Sequence, residues 1–223
     1  MISKRIRTIA SMIDNDKKVI DIGCDHAFLA ISLRKNGHTG EILCTDLRRG
    51  PVEKAKENLA LYGYDDIEVI QTPGVQGITF EADVAVMAGM GYKTVSQILD
   101  DDRDYFYNCE KIIIQVNHSN DHLRRWLFAN DFKITDEIMI RDYKKYYEIL
   151  TVENGKQDLT EDEILYGPVL LKKRSPEFIA FYEEKRDRLD QVMSELGPEH
   201  PDYDKLSQKK EALSSILEAS PNS

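Results

Sequence analysis

Apolar runs and helix-spaced apolar positions divide the chain into a βα series followed by a helical tail. Residues 19–22, Val-Ile-Asp-Ile, are a short β-branched run enclosing one carboxylate, Asp21, the pattern of a buried parallel strand. Gly23 stops the run, and residues 27–35 return apolar positions at helical spacing. Residues 42–46 predict a second strand. Pro51 then sits in the first turn of a helix whose inner stripe is Val52, Ala55, Leu59 and Tyr62, ended by Gly63. Residues 67–70, 82–87 and 111–116 predict three further strands, with helices over 94–99 and 121–130. Ahead of the series, residues 3–14 predict an amphipathic helix with Ile6, Ile9, Ala10 and Ile13 inward and Ser3 as its cap. Residues 132–139 and 146–152 are β-rich, and Arg141-Asp142-Tyr143-Lys144-Lys145 between them predicts a hairpin. Alternating βα units closed by a hairpin predict an α/β fold with a seven-stranded sheet.

The composition shifts near Gly155. Residues 160–166 predict a short helix in which Thr160 and Glu163 form a capping box. Residues 176–196 predict a long charged helix with an apolar stripe of Phe178, Phe181, Leu189, Val192 and Leu196. Gly197, Pro198 and Pro201 break it, and residues 204–219 predict another helix carrying Leu206, Leu213, Ile216 and Leu217. Two such helices joined by a short turn make a helical hairpin or antiparallel coiled coil. The expected division is an α/β domain over residues 1–155 and a helical domain over 156–223.

A chain of 223 residues suits one α/β domain with a small appendage, and 41% hydrophobic with 31% charged residues is ordinary for a soluble protein. No apolar run approaches the ~20 residues of a membrane span. The start of the chain lacks the apolar core of a signal peptide. Cys24, Cys44 and Cys109 are scattered and odd in number, so neither a disulfide framework nor a cysteine metal site is expected. His118 and His122 lack a third ligand nearby, and no metal is expected. These features predict a cytoplasmic monomer. A net charge of −10 argues against indiscriminate nucleic-acid binding and leaves room for a local basic patch.

The chemistry concentrates between Lys18 and Asp46. Asp46 ends the second strand 23 residues after Gly23, close to the spacing at which an acidic side chain grips a ribose diol in nucleotide-binding α/β units. A dinucleotide turn needs three glycines so that a pyrophosphate can approach bare backbone, and here only Gly23 is present. Asp25 would repel a pyrophosphate. A ligand with a ribose and no phosphate fits better, and S-adenosylmethionine is such a ligand: its ammonium and sulfonium charges favour Asp21 and Asp25. An NAD site and a plain α/β turn are the alternatives. The expected cofactor contacts are Asp21, Gly23, Cys24, Asp25 and His26 at the turn, Asp46 and Leu47 after the second strand, Gly74 in a loop, and Ala88, Gly89 and Met90 after the fourth strand. Gln115 and Asn117 carry amides two residues apart at the end of a strand, suited to reading a base edge or to capping the next helix. Within that helix Trp126 and Leu127 are expected in the core and Arg124 and Arg125 in solvent. Arg5 and Arg7 in the first helix, and Lys172, Lys173 and Arg174 near the domain junction, are candidate phosphate contacts or solvated surface.

Asp21-Ile22-Gly23-Cys24-Asp25-His26-Ala27-Phe28-Leu29, Ala88-Gly89-Met90-Gly91, Gln115-x-Asn117, Tyr146-Tyr147-Glu148-Ile149-Leu150 and Tyr166-Gly167-Pro168, together with Ser3-Lys4-Arg5 and Gly50-Pro51, resemble the TrmK family, bacterial methyltransferases of adenine 22 in tRNA. The resemblance covers nearly the whole chain. It implies a Rossmann-like class I methyltransferase domain, a C-terminal coiled-coil domain, S-adenosylmethionine as methyl donor, and transfer to N1 of a tRNA adenine. For that reaction the candidates are Tyr92, Met90 and His26 for a flat wall, Gly91 as a further substrate contact, Gln115 and Asn117 for the base edge, and Asp25 beside the developing charge. Asp25 capping the next helix is the other reading of that residue. The chain departs from the family pattern at Val75, Tyr92 and Val116, so the alternative is a divergent paralogue that binds RNA with altered or lost transfer activity.

Overall fold

The computed structural model describes residues 2–218. The β-branched runs form β1 (Val19–Ile22), β2 (Ile42–Asp46) and β5 (Lys111–Val116) within a seven-stranded sheet of order β3-β2-β1-β4-β5-β7-β6, where β3 is Glu68–Gln71, β4 Val84–Met90, β6 Phe132–Asp142 and β7 Lys145–Asn154. β1 to β5 run parallel, and β7 lies antiparallel between β5 and β6. Side chains alternate across the sheet and fill two cores. α1 (Lys4–Ser11), α2 (Phe28–Lys35) and α3 (Arg49–Leu61) cover one face through Ile9, Leu33 and Leu59. α4 (Tyr92–Asp101), α5 (Arg103–Tyr107) and α6 (Asn120–Ala129) cover the other through Leu99, Phe106 and Leu127. Among the described residues no helix is long and apolar enough to cross a membrane.

The largest departures from the sequence pattern lie where glycine or pairing across the sheet overrides local periodicity. β4 continues through Ala88 and Gly89 to Met90, with a register shift against β5 between Ala88 and Met90 that Gly89 absorbs at φ +87°. α4 then starts at Tyr92, ahead of its expected start. α5 and α8 (Pro168–Lys173) are short helices that the apolar spacing does not reveal.

Arg124 is the clearest correction. It is fully buried in α6 rather than solvated, with Nε donating to Glu137 of β6 at 2.7 Å and Nη2 donating to Glu148 of β7. Arg125 behaves as expected, pairing with Glu161 at the surface. Burial pushes the Glu137 carboxyl above its usual range, while Arg124 and the Val169 N–H pull it back. Glu137 Oε2 accepts from the N–H groups of Val169 and Leu170 at the start of α8. At Gly167, φ +95°, an added Cβ would stand 2.6 Å from that oxygen, so only glycine lets the chain pass.

α7 (Glu161–Tyr166) carries the predicted capping box. α7 and α8 pack on α6 and β6, so contact with the sheet continues beyond Gly155. α9 (Pro176–Leu196) and α10 (Tyr203–Glu218) pair; Ala219, the expected last residue of the second helix, lies outside the described residues. Arg174 donates to the Ile216 and Leu217 carbonyls at 2.6 and 2.8 Å, tying the start of α9 to the end of α10 and making the pair antiparallel. The inward face of α9 holds Phe178, Tyr182 and Met193, whereas Val192 and Leu196 of the expected stripe are exposed.

Candidate functional site

A cavity of about 950 Å³ opens at the carboxyl ends of β1, β2 and β4, the edge of an open α/β sheet at which ligands bind. After β1 the chain turns sharply: Gly23, Asp25 and Ala27 all have positive φ, at 70°, 49° and 55°. Two of these are not glycine, a strained arrangement of the kind that clusters at functional sites. Gly23 and Cys24 both donate to the Thr45 carbonyl, fastening the turn to β2. Ala27 is the N-cap of α2 and no side chain caps it, so Asp25 is not the helix cap. Its carboxylate is instead 60% exposed, 3.6 Å from His26 Nε2, and His26 stacks on Phe28 with ring centres 5.3 Å apart.

Asp46 is buried at the end of β2. Its Oδ1 accepts from the Arg48 N–H at 2.9 Å and its Oδ2 from the Asp25 N–H at 3.3 Å, which aims the carboxylate and binds two loops together. Asp21 is buried in β1 and accepts no hydrogen bond among the described residues. Burial, reinforced by the Asp46 charge, pushes its carboxyl up to about 7. An unpartnered carboxyl facing a cavity is costly as an anion unless a cation joins it.

The loop after β3 completes one wall. Thr45 Oγ1 donates to the Gly74 carbonyl at 2.9 Å and Thr72 Oγ1 to the Gln76 carbonyl at 2.9 Å. Gly74 lines the cavity, while Val75 turns into the core beneath it. Ile98 of α4 packs on Gly74, 3.1 Å from where a Cβ would be. Lys93, Gln97 and Ile98 add a helical face to the wall that the sequence reading missed. The i, i+4 spacing of Lys93 and Gln97 is visible in the sequence, but nothing local says that this face turns toward the cavity.

Every expected cofactor residue lines this cavity: Asp21, Gly23, Cys24, Asp25, His26, Asp46, Leu47, Gly74, Ala88, Gly89 and Met90. Arg5 lines it as well, through α1. Other expected site residues lie elsewhere. Gln115 is fully enclosed and both ends of its amide are used: Oε1 accepts from Arg5 Nη1, and Nε2 donates to the Val116 carbonyl at 2.7 Å. It has no open edge for a base. Asn117 Nδ2 donates to the Gly89 carbonyl at 2.7 Å and holds the end of β4 in place. Gly91 and Tyr92 stand beyond the cavity wall, with Tyr92 against His122 at 5.2 Å. Arg7 is exposed and bonds the Ile2 carbonyl. Lys173 pairs with Asp136 at 2.5 Å and Arg174 with α10, leaving Lys172 exposed at that junction.

The family model described as TrmK, tRNA (adenine(22)-N(1))-methyltransferase, matches residues 19–220. The chain belongs to the TrmK family. Among TrmK relatives, the tRNA (adenine(22)-N(1))-methyltransferase of Bacillus subtilis is 29% identical over 225 residues, covering 97% of this chain and 94% of that protein. The crystal structure of Sp1610 of Streptococcus pneumoniae superposes with a TM-score of 0.89 at 30% identity, covering 97% of this chain and 100% of the other. The same protein in complex with S-adenosyl-L-methionine gives a TM-score of 0.86 over the same coverage. The TrmK match takes in both the α/β sheet and the helical hairpin.

Proposed function

We propose that this chain transfers the methyl group of S-adenosylmethionine to N1 of an adenine in tRNA, at position 22. One observation carries the reading: the residues that the sequence marks as donor contacts converge on a single cavity at the carboxyl ends of β1, β2 and β4. The residues fit such a donor. Asp46 offers a buried, aimed carboxylate to a ribose diol, Asp21 an unpartnered acceptor to an ammonium, and Gly23 and Gly74 bare backbone to a close-packed ligand. When bound, S-adenosylmethionine supplies an electrophilic methyl on a sulfonium. The chain's own task is to align the acceptor nitrogen with that bond, since attack by N1 needs position more than a base. Because N1 lies on the Watson–Crick edge, the adenine must leave its pair to enter the cavity. His26, stacked on Phe28, and Met90 offer it a flat wall, and Asp25 stands where positive charge grows on the base. The exposed cations Arg48 and Lys93 at the cavity, Lys4 and Arg7 on α1, and Lys172 with the helical region 156–223 are the surfaces offered to tRNA phosphates.

Two results test this reading. Asp25→Asn removes the charge while suiting the left-handed backbone, which asparagine tolerates. Single-turnover methylation of unmodified tRNA is expected to fall at least about tenfold, ~1.4 kcal/mol, with Tm near that of the wild type. Full activity in this variant would remove Asp25 from the chemistry. The second result is a pH dependence. With its carboxyl near 7 in the free protein, Asp21 is mostly protonated at pH 6 and mostly ionised at pH 8. Only the ionised form attracts an ammonium, so S-adenosylhomocysteine is expected to bind about tenfold more tightly at pH 8 than at pH 6. Calorimetry reads this directly, and a slope that persists in Asp21→Asn would assign it to another group.

A further inference from the structure

The hairpin of β6 and β7 reaches past the rest of the sheet on the side of the cavity. β7 pairs with β5 from Leu150, opposite Ile114, to Val152, opposite Ile112. The two strands are antiparallel, so residues 145–149 run on toward the carboxyl end of β5, the edge at which the cavity opens. They stay paired with β6 as far as Lys145, opposite Asp142, which makes an arm ~16 Å long. Two braces hold it. Asp142 Oδ2 accepts from the N–H of Arg5 at 3.1 Å, in the first turn of α1, and Arg5 lines the cavity. Arg141 stands 5.2 Å over the Tyr146 ring and pairs with Glu184 of α9 at 3.5 Å, and the Tyr146 hydroxyl donates to the same carboxylate at 2.8 Å. The tip is therefore fixed between the cavity wall and the helical hairpin.

The tip itself is Tyr143 and Lys144. Tyr143 is 87% exposed, more than any other large apolar side chain among the described residues, and it belongs to no core cluster. Its φ is +54°, a backbone that glycine or asparagine adopts at lower cost. Neither packing nor the turn calls for a ring here, and strain kept without packing points to use at the surface. Lys144 and Lys145, and Lys4 beside Arg5, are exposed and form no ion pair among the described residues. Asp142 turns its carboxylate to the N-terminus of α1, whose dipole offsets the charge. On a chain of net charge −10 this is a local surplus of positive charge. An exposed ring among lysines complements single-stranded nucleic acid, which lays a base on the ring and phosphates on the cations. We propose that Tyr143 stacks on an unpaired tRNA base other than the one that is methylated, with Lys144, Lys145 and Lys4 meeting the phosphates beside it. A lipid surface would use the same two features, but the bond from Asp142 to Arg5 ties this arm to the cavity that the substrate must reach. Stacking accepts any base, so Tyr143 adds affinity and orientation rather than sequence preference. The proposal rests on the methyltransferase reading and adds a substrate contact outside the cavity.

The test uses the full chain and Tyr143→Asn, which suits the left-handed turn and removes the ring. Its Tm is expected at or above that of the wild type. Its affinity for S-adenosylhomocysteine, read by calorimetry, should stay within about twofold, as for a substitution remote from the donor. Binding of an unmodified tRNA transcript, read by fluorescence anisotropy, is expected to weaken about tenfold, the loss of one stacked base. Tyr143→Phe should bind tRNA within about twofold of the wild type, because stacking uses the ring and not the hydroxyl. Joint Lys144→Ser and Lys145→Ser should flatten the dependence of log Kd on log salt by about one to two, a dependence that Tyr143→Asn should leave as it is. Unchanged tRNA affinity in Tyr143→Asn would overturn the proposal, and so would a Tyr143→Phe as weak as the asparagine variant. Loss of co-sedimentation with phosphatidylglycerol vesicles in Tyr143→Asn, with tRNA affinity unchanged, would assign the tip to a lipid surface instead. Wild-type protein that binds S-adenosylhomocysteine but no tRNA would defeat the tRNA reading as a whole, whereas tRNA binding indifferent to Tyr143 would defeat this contact alone.

Discussion

Arg124→Met is expected to destabilise the protein by about 3–5 kcal/mol, the cost of removing one partner from a buried ion pair. The magnitude follows from what remains. Glu137 is fully enclosed and Glu148 nearly so, and both would keep a charge with no guanidinium between them. The Val169 and Leu170 N–H groups satisfy only one Glu137 oxygen. Chemical denaturation at pH 7.5 measures the loss as a lower midpoint. The sign with pH is also set. Without Arg124 the Glu137 carboxyl rises further above its unfolded value, so the folded variant takes up a proton there as the pH falls, and the deficit should shrink between pH 7.5 and pH 5.5. A triple variant that also carries Glu137→Gln and Glu148→Gln should recover part of the stability, because it buries no unpaired charge. A deficit below about 1 kcal/mol would mean that water reaches the carboxylates once the arginine is gone.

The other large effect is expected on donor binding. Asp46→Ala should weaken S-adenosylmethionine by ~1–3 kcal/mol, the range for losing a charged acceptor of buried hydroxyls. That is about tenfold to a hundredfold in Kd. Asp46 also accepts from the Asp25 and Arg48 N–H groups, so part of the loss would come from a loosened turn. Asp46→Asn separates the contributions: it keeps an oxygen for the loops and removes the charge that the diol would meet. An unchanged Kd in Asp46→Ala would place the ribose elsewhere.

The elements that were legible in the sequence are those whose signal is local. β1, β2 and β5 are β-branched runs ended by glycine or polar residues, and Thr160 with Glu163 announces α7 within four positions. The turn residues of the cavity were legible because the acid at Asp46 and the break at Gly23 stand at a spacing with a chemical meaning. What stayed hidden depends on partners far along the chain. Arg124 reads as solvated because its acids are 13 and 24 residues away, on two strands whose register the helix cannot display. Gln115 and Asn117 look like a base-reading pair until Arg5, 110 positions earlier, is seen bonded to the first. β4 hides its last three residues because a strand ending in Ala-Gly-Met looks like a loop. On α9 Met193 turns inward and Val192 stays exposed, a choice the apolar spacing alone does not make.

Asp25 and Ala27 keep side chains on a backbone that glycine would adopt at lower cost. The protein carries that cost whether or not a ligand is present, and Asp25, being exposed, gains little packing in return. A search for heat-tolerant variants scored on folding alone would therefore favour glycine at Asp25 and discard the acid proposed to face the acceptor. If Asp25 has the role proposed for it, stability and turnover are set against each other at this single position, so any screen that includes it must measure both.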